Sequence, residues 1–220
     1  MKEFDLVLHA QTIAKNRSKI DHNYFKTWSR NMAYIFGFWC ADGNIYQTNR
    51  VNQFSIKLKN NDRCLLESIL KEMKSSHKIY DYKNNSCGFN IGSKDICNDL
   101  ISLGGIPNKS LGLKFPNIPS EFISDFIRGY FDGDGTVTNK HYSVKILGTE
   151  DFLLKLSEIL ETENIRIHSI EIANKDENKS SLCKSLTITR LVECEKFRDF
   201  IYKDINAESL YLQRKYNRFY

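Results

Sequence analysis

The chain has 220 residues, 41% of them apolar, and a net charge of +5 with a pI of about 8.8. That is ordinary for a globular protein and enough to bury a core, in one domain or two small ones; the mild basicity fits a nucleic-acid partner without requiring one. The six cysteines (40, 64, 87, 97, 183 and 194) form no C-x-x-C pair and no zinc spacing, which leaves reduced structural thiols. Charges interrupt Met1–Leu6 where a signal peptide needs its apolar run, and no stretch approaches the roughly 20 apolar residues of a membrane span. The expectation is a soluble intracellular protein, cytoplasmic or organellar if organelle-encoded, with no membrane partner.

In chain order, residues 1–28 read as a polar N-terminal extension with a weak helical pattern at Leu6, Val7, Ile13 and Ile20. A first repeat spans 29–106. Ser29 is positioned to cap a helix over 29–42. Strands follow at Asn44–Tyr46 and Val51–Lys59, the second alternating Phe54, Ile56 and Leu58 with Ser55, Lys57 and Lys59. Cys64, Leu65, Ile69 and Met73 carry a helical period. Lys78–Tyr82 and Cys87–Ile91 read as a hairpin about Asn84-Asn85, and Asp95–Ser102 as a helix closed by Gly104-Gly105. All three prolines fall in 107–119, which marks a linker.

A second repeat spans 120–220. Ser120 is expected to cap a helix to Asp134, followed by strands at Thr136–Asn139 and Tyr142–Leu147 and a helix at Asp151–Glu163. A hairpin, Arg166–Ala173 with Leu182–Thr189, has a polar tip at Asn174–Ser181. A helix at Glu193–Ile205 and a basic segment at Leu210–Phe219 end the chain. Ser55-Ile56-Lys57-Leu58 matches Ser143-Val144-Lys145-Ile146, so each half reads helix-strand-strand-helix-strand-strand-helix. One repeat cannot cover its own helical face, and its twin supplies the cover. The predicted fold is α+β: two pseudo-symmetric αββαββα repeats, each with a four-stranded antiparallel sheet. The first half carries more net positive charge, 16 Lys+Arg against 10 Asp+Glu in 1–110 and 16 against 17 in 111–220.

Two stretches organise this pattern: Ile35-Phe36-Gly37-Phe38-Trp39-Cys40-Ala41-Asp42-Gly43 and Ile127-Arg128-Gly129-Tyr130-Phe131-Asp132-Gly133-Asp134-Gly135. Gly37 with Ala41, and Gly129 with Gly133, share a helix face and permit close backbone approach. Gly43 and Gly135 are natural helix stops. Asp42 and Asp134 fall at helix C-termini, where the macrodipole disfavours negative charge. Side by side, two such carboxylates repel, and a divalent cation between them relieves the conflict.

At these residues the chain resembles the single-chain, two-motif LAGLIDADG homing endonucleases, over roughly 190 residues from Tyr24 onward. The second motif is the better match; the first has Cys40 where the family has Asp. The resemblance implies a site-specific endonuclease that makes a metal-dependent double-strand break in a long duplex DNA target, with Mg²⁺ as cofactor (Mn²⁺ able to substitute), a role in intron homing, and a monomeric state. It implies Asp42 and Asp134 as catalytic metal ligands, the carbonyls of Ala41 and Gly133 as further ligands, and Lys109 and Lys215 as basic residues beside the water or phosphate; Arg214 or Arg218 could take the place of Lys215. Asp132 reads as a structural hydrogen-bonding residue, with a metal role as the alternative. The sheets would lie in the major groove, with Arg50, Lys57, Lys59, Lys140, Lys145, Lys184 and Arg190 as DNA-contacting residues; the alternative for such lysines is a solvated sheet edge. The rival readings are an RNA-splicing maturase, with host intron RNA as partner, a transcription regulator, and a non-cleaving relic on the same fold.

Overall fold

Ser29 begins the first long helix as its position predicts: its hydroxyl accepts from the Met32 amide at 3.1 Å, satisfying one of the unpaired amides of the first turn. The computed structural model describes residues 19–107, 109, 112–138, 143–173 and 183–220. Expectations that fall on 1–18, on 139–142 (the end of one strand and Lys140) and on 174–182 (the hairpin tip and Leu182) lie outside the described residues.

Helix α1 (Arg30–Asp42) is buried continuously from Met32 to Cys40. A helix that is apolar all round belongs in a core. After it come β1 (Gly43–Gln47), β2 (Asn52–Lys59), α2 (Arg63–Glu72), β3 (Tyr80–Tyr82), β4 (Ser86–Gly92) and α3 (Lys94–Ser102). The second repeat runs α4 (Ile123–Asp134), β5 (Gly135–Val137), β6 (Ser143–Gly148), α5 (Glu150–Thr162), β7 (Ser169–Ile172), β8 (Lys184–Thr189) and α6 (Leu191–Tyr202); a short α7 (Gln213–Tyr216) lies in the C-terminal segment. Both sheets are antiparallel, in the orders β1-β2-β4-β3 and β5-β6-β8-β7. The predicted twofold repeat is therefore the observed architecture.

Alternation sets which face of each sheet is buried. Phe54, Ile56 and Leu58 of β2 face inward with Cys87, Phe89 and Ile91 of β4; Val144 and Ile146 of β6 face inward with Leu186 and Ile188 of β8. The opposite faces are left to solvent. Asn84 and Asn85, with φ of 68° and 53°, make the tight β3–β4 turn, a conformation asparagine tolerates.

The two repeats meet at α1 and α4. A Cβ on Gly37 would collide with the Phe126 carbonyl, and one on Gly129 with the Tyr34 carbonyl. A Cβ on Gly133 would overlap that of Ala41. The small residues thus let the two backbones touch, as their spacing predicts, while Phe36 and Phe126 pack beside the crossing with ring centroids 5.5 Å apart.

Several local expectations are corrected. Gly43 and Gly135 do not stop their helices by turning left-handed; their φ values are −84° and −95° and the chain runs straight into β1 and β5. They are glycines because the Trp39 and Phe131 rings lie where a Cβ would stand. Ser120 does not cap α4: Ser120–Phe122 forms a 3-10 turn after Pro119, and α4 begins at Ile123 without a side-chain cap. Helix α6 ends at Tyr202, not at residue 205. The basic segment Leu210–Phe219, for which no element was expected, contains the short α7. Residues 19–28, read from sequence as part of an extension, pack on the first repeat: Phe25 is buried against Phe54, and the His22 ring bonds Ser93 Oγ at 2.8 Å.

Sequence reasoning gave no role to Arg128, which is 1% exposed. Its guanidinium meets the Asp125 carboxylate at 2.7 Å and donates to the carbonyls of Ile201 (3.0 Å) and Leu210 (3.1 Å). It so satisfies an unpaired carbonyl near the end of α6 and fastens the C-terminal segment to α4. A buried charge held this way is costly to leave unpaired.

Gly129→Ala is expected to lower stability by about 3 kcal/mol, since the obstacle is backbone and cannot swing aside. Gly92→Ala, whose new Cβ would meet nothing closer than the Asn52 carbonyl at 3.9 Å, should stay within about 0.5 kcal/mol of the parent. Urea unfolding of both variants checks this; equal midpoints would contradict the interface described.

Candidate active site

Asp42 and Asp134 are the last residues of α1 and α4. Because Ala41 and Gly133 lie against each other, the two helix ends converge, and Asp42 Oδ2 is 3.5 Å from where a Gly133 Cβ would stand. Burial is the largest influence on both carboxyls and pushes both pKa values up. For Asp134, half-buried, the neighbouring Asp42 charge pushes further, to about 6, against the pull of Lys109 and Lys215. For Asp42, Lys215, Lys109 and Arg214 oppose the rise and Asp62 adds to it. Asp42 is crowded by protein yet its side chain opens onto solvent, so its upward push is the more weakly felt of the two.

Lys109 and Lys215 take equivalent places in the two repeats. Lys109 Nζ donates to the Ala41 carbonyl at 2.6 Å. Lys215, only 5% exposed, donates to the carbonyls of Phe131 (2.8 Å), Gly133 (3.3 Å) and Gly135 (2.6 Å). Each ammonium caps the carbonyl end of its own motif helix, where the macrodipole favours positive charge. Burial lowers the pKa of both, that of Lys215 to about 8. Of the basic residues near the second motif, Lys215 takes the site: Arg214 is held by Asp62, and Arg218 donates to the Val137 carbonyl at 3.1 Å.

The Ala41 and Gly133 carbonyls expected to ligate metal thus already accept from lysine. A carbonyl oxygen has two lone pairs, so one on each remains for a cation. Among the described residues no group of three or more His, Cys, Asp and Glu side chains is placed to hold a metal ion.

Two cavities open beside the carboxylates. One, of about 700 Å³, has Asp42, Lys57, Lys59, Asp62, Arg214 and Lys215 in its wall. The other, of about 220 Å³, is bordered by Cys40, Ala41, Lys109, Tyr130, Asp134 and Cys183.

The expected DNA-contacting residues divide. Lys57 and Lys59 lie on the exposed face of the first sheet with Asn44, Ser55 and Asn90, and Lys57 rests over the Tyr82 ring at 4.7 Å. Lys145 lies on the exposed face of the second among Thr136, Thr187 and Ser169. Arg50 is exposed in the β1–β2 turn and Arg190 is exposed just before α6. Lys184 faces the other way: in register with Gly148 and Ile172, it sits on the helix-covered side and approaches Glu150 at 3.8 Å. Lys140 lies outside the described residues.

Two features were missed, the second of them only in its partners. Asp62, 6% exposed, receives Arg214 through both carboxylate oxygens, at 2.7 and 2.8 Å, linking the first repeat to the C-terminal segment. No sequence pattern joins residues 152 apart. Asp132, expected to be structural, accepts from the Tyr34 hydroxyl at 2.8 Å and the Leu212 amide at 2.7 Å. A comparison of the motifs could have found this second feature: Phe126 stands where Tyr34 does and Cys40 where Asp132 does, so the carboxylate appears only opposite a hydroxyl.

A family model described as a LAGLIDADG-like domain matches residues 121–202. Among solved structures, the homing endonuclease I-DmoI in complex with DNA and Ca is 18% identical, with 84% of this chain and 92% of that chain covered and a TM-score of 0.57. The meganuclease I-SmaMI bound to uncleavable DNA is 15% identical, with 80% and 85% covered and a TM-score of 0.52. Among curated proteins, a probable translation initiation factor IF-2 from Methanocaldococcus jannaschii is 29% identical over 154 residues. That match takes in 66% of this chain but only 12% of the factor, so the chain spans about an eighth of that relative. The second repeat thus matches a LAGLIDADG-like domain, and the whole chain, with its paired motif helices and two four-stranded sheets, has the fold of the single-chain homing endonucleases.

Proposed function

We propose that this chain is a site-specific endonuclease that cuts both strands of a duplex DNA target. The observation that carries this reading is the convergence of Asp42 and Asp134 at the point where both sheets begin, since β1 starts at Gly43 and β5 at Gly135. A duplex lying along the exposed sheet faces would bring its phosphates to the two carboxylates. The amide, hydroxyl and lysine side chains on those faces suit base edges and phosphates. The DNA-bound relatives of the same fold support the choice of ligand.

A divalent cation fits the oxygens at the helix ends. Asp42 and Asp134 would hold it, with the remaining lone pairs of the Ala41 and Gly133 carbonyls. Hard oxygen donors of this kind suit Mg²⁺ or Mn²⁺. Relief of the Asp42–Asp134 repulsion favours binding, and relatives solved with Ca and with Mn agree with a divalent requirement. Such an ion would supply positive charge to the phosphate and acidify water beside it. The chain's own contribution is to position: Lys109 and Lys215 fix the two helix ends and set a cation beside each phosphate site. Both motif helices belong to one chain, so the pairing surface is filled internally and the protein works as a monomer.

Asp42→Asn and Asp134→Asn are each expected to abolish double-strand cleavage, by at least a hundredfold, while binding stays within a few-fold of the parent. Gel-shift and cleavage assays on one duplex, with Mg²⁺ and with EDTA, read both; cutting by Asp42→Asn at the parent rate, or robust cutting in EDTA, would refute the assignment.

The pH dependence follows from the shifts. Asp134 is raised from 3.8 to about 6, so its contribution to stability is present below about 3.8 and is lost as pH rises through about 6. Its carboxylate becomes available for chemistry only over the same rise. Lys215 keeps its proton up to about 8. The affinity for Mg²⁺ should therefore fall as pH drops through about 6, because protons compete for Asp134, and the alkaline limb of the kcat/KM profile should lie near 8. Lys215→Arg should remove the alkaline limb.

A further inference from the structure

The outward face of the first sheet holds a polar network of Lys57, Tyr82 and Asn90 that the second sheet does not repeat. We propose that Asn90, its amide held by Tyr82, reads one adenine in the major groove of the half-site under the first sheet, and that the twofold-related position of the other half-site is not read this way. This rests on the DNA-binding part of the reading above and names a residue and a base within it.

Register places the network. β4 turns Ser86, Gly88, Asn90 and Gly92 outward, and of these Gly88 alone is buried. Tyr82 pairs with Ser86, yet its hydroxyl oxygen accepts from the Asn90 amide nitrogen, further along β4, at 3.0 Å. The Tyr82 ring therefore runs along the strand past Gly88, where no side chain stands in its way. Lys57 pairs with Gly88 from the opposite side and sets its ammonium 4.7 Å from the centre of the same ring. The ring quadrupole attracts that cation, so the tyrosine is held from two directions.

The network decides what Asn90 can offer. A carboxamide has two N–H donors and one carbonyl acceptor. With one N–H given to Tyr82, the exposed Asn90 keeps one donor and its Oδ1 acceptor. In the major groove adenine presents an acceptor, N7, beside a donor, N6–H, whereas guanine presents two acceptors, N7 and O6. One donor with one acceptor matches adenine and would set the amide oxygen against an oxygen of guanine. An amide already fixed also loses little rotamer freedom on binding.

The second sheet lacks every part. Gly43 pairs with Ile56 as Gly135 pairs with Ile146, which puts Leu147 at the place of Lys57. Ile56 pairs in turn with Phe89, and Ile146 with Leu186, which puts Thr187 at the place of Asn90. Ala173, whose amide donates to the Cys183 carbonyl at 3.0 Å, stands at the place of Tyr82. A leucine, a threonine and an alanine cannot form the network, so the target should lack twofold symmetry at this pair of positions.

The test selects duplexes from a randomised library by binding to the full chain in EDTA, and sequences the pools bound by the parent, Asn90→Ala and Tyr82→Phe. The position that Asn90→Ala releases should be adenine in the parent pool, favoured over guanine roughly fivefold or more, and the twofold-related position should not change. Tyr82→Phe keeps the ring beside Gly88 and removes only the hydroxyl. It should weaken the preference for adenine at that same position about threefold and leave other positions as they were. A tyrosine that only supports the fold would lower binding to every sequence alike and leave the preference intact; melting curves of both variants accompany the selection. Guanine at the released position, which the reversed amide would select, overturns the assignment of Asn90. So does any other base there, no released position, or a Tyr82→Phe pool identical to the parent's. Cleavage of the selected duplex with Mg²⁺ tests the nuclease reading separately, and that reading can stand when the assignment of Asn90 falls. A parent protein that enriches no sequence overturns both.

Discussion

The backbone contact between α1 and α4 is the constraint on which the rest depends. At Gly37 and Gly129 the facing helix presents its carbonyl where a side chain would begin. Only there can the two helix axes come close enough for residues 41 and 133 to touch. With that contact set, the last residue of each helix is brought to its counterpart, and the strands that follow leave from a shared point. An interface spaced by ordinary side chains would bury as much apolar area, but it would separate the carboxylates and the sheets. The fold therefore gives up side chains at its centre to gain position, and recovers packing from the aromatic rings of Phe36, Phe126, Tyr130 and Phe131 around the crossing.

The pseudo-twofold is kept in the backbone and broken in the polar groups. On one side Tyr34 and Asp132 form a buried hydrogen bond; on the other Phe126 and Cys40 occupy the same places with nothing to bond. Each pair is self-consistent, because a buried carboxylate needs donors and a thiol does not. Asp132 also receives the Leu212 amide, which holds the segment that carries Arg214 and Lys215. Lys215 meets three carbonyls and Lys109 one. The second motif is thus more firmly braced by charged contacts than the first.

Much of this was legible in the sequence because it depends on periodicity. The alternation in Val51–Lys59 and its echo in Tyr142–Leu147 gave both sheets, and the repeated Gly-x-x-x-small spacing gave the interface. The carboxylates were placed by the motifs themselves, and the two lysines were placed by the family resemblance; the structure brings all four to the ends of the motif helices. What escaped depends on distance in space. Asp62 with Arg214 and Arg128 with Ile201 and Leu210 join residues far apart in the chain, and no local pattern announces them. Ser120 misled because a serine before a helix reads as a cap, whereas Pro119 sets a 3-10 turn first. Lys184 misled because its strand was read without register: one step of alternation decides which face a side chain takes.

The C-terminal segment has a consequence for how such a protein can be rearranged. It follows the second repeat in sequence, yet Asn31 of the first repeat exchanges hydrogen bonds with Glu208 and Leu210, and Asp62 of the first repeat holds Arg214. The tail is in effect a strap drawn back over the other half. The halves are therefore not interchangeable modules with a boundary at the proline linker. A chimera that joins one repeat to a foreign partner must carry Asn31 and Asp62 with the tail they receive, or redesign all three together. Gene duplication can supply two copies of the repeat, but once a strap of this kind has formed, recombination at the linker no longer separates them cleanly, and the two halves are bound to diverge as one unit.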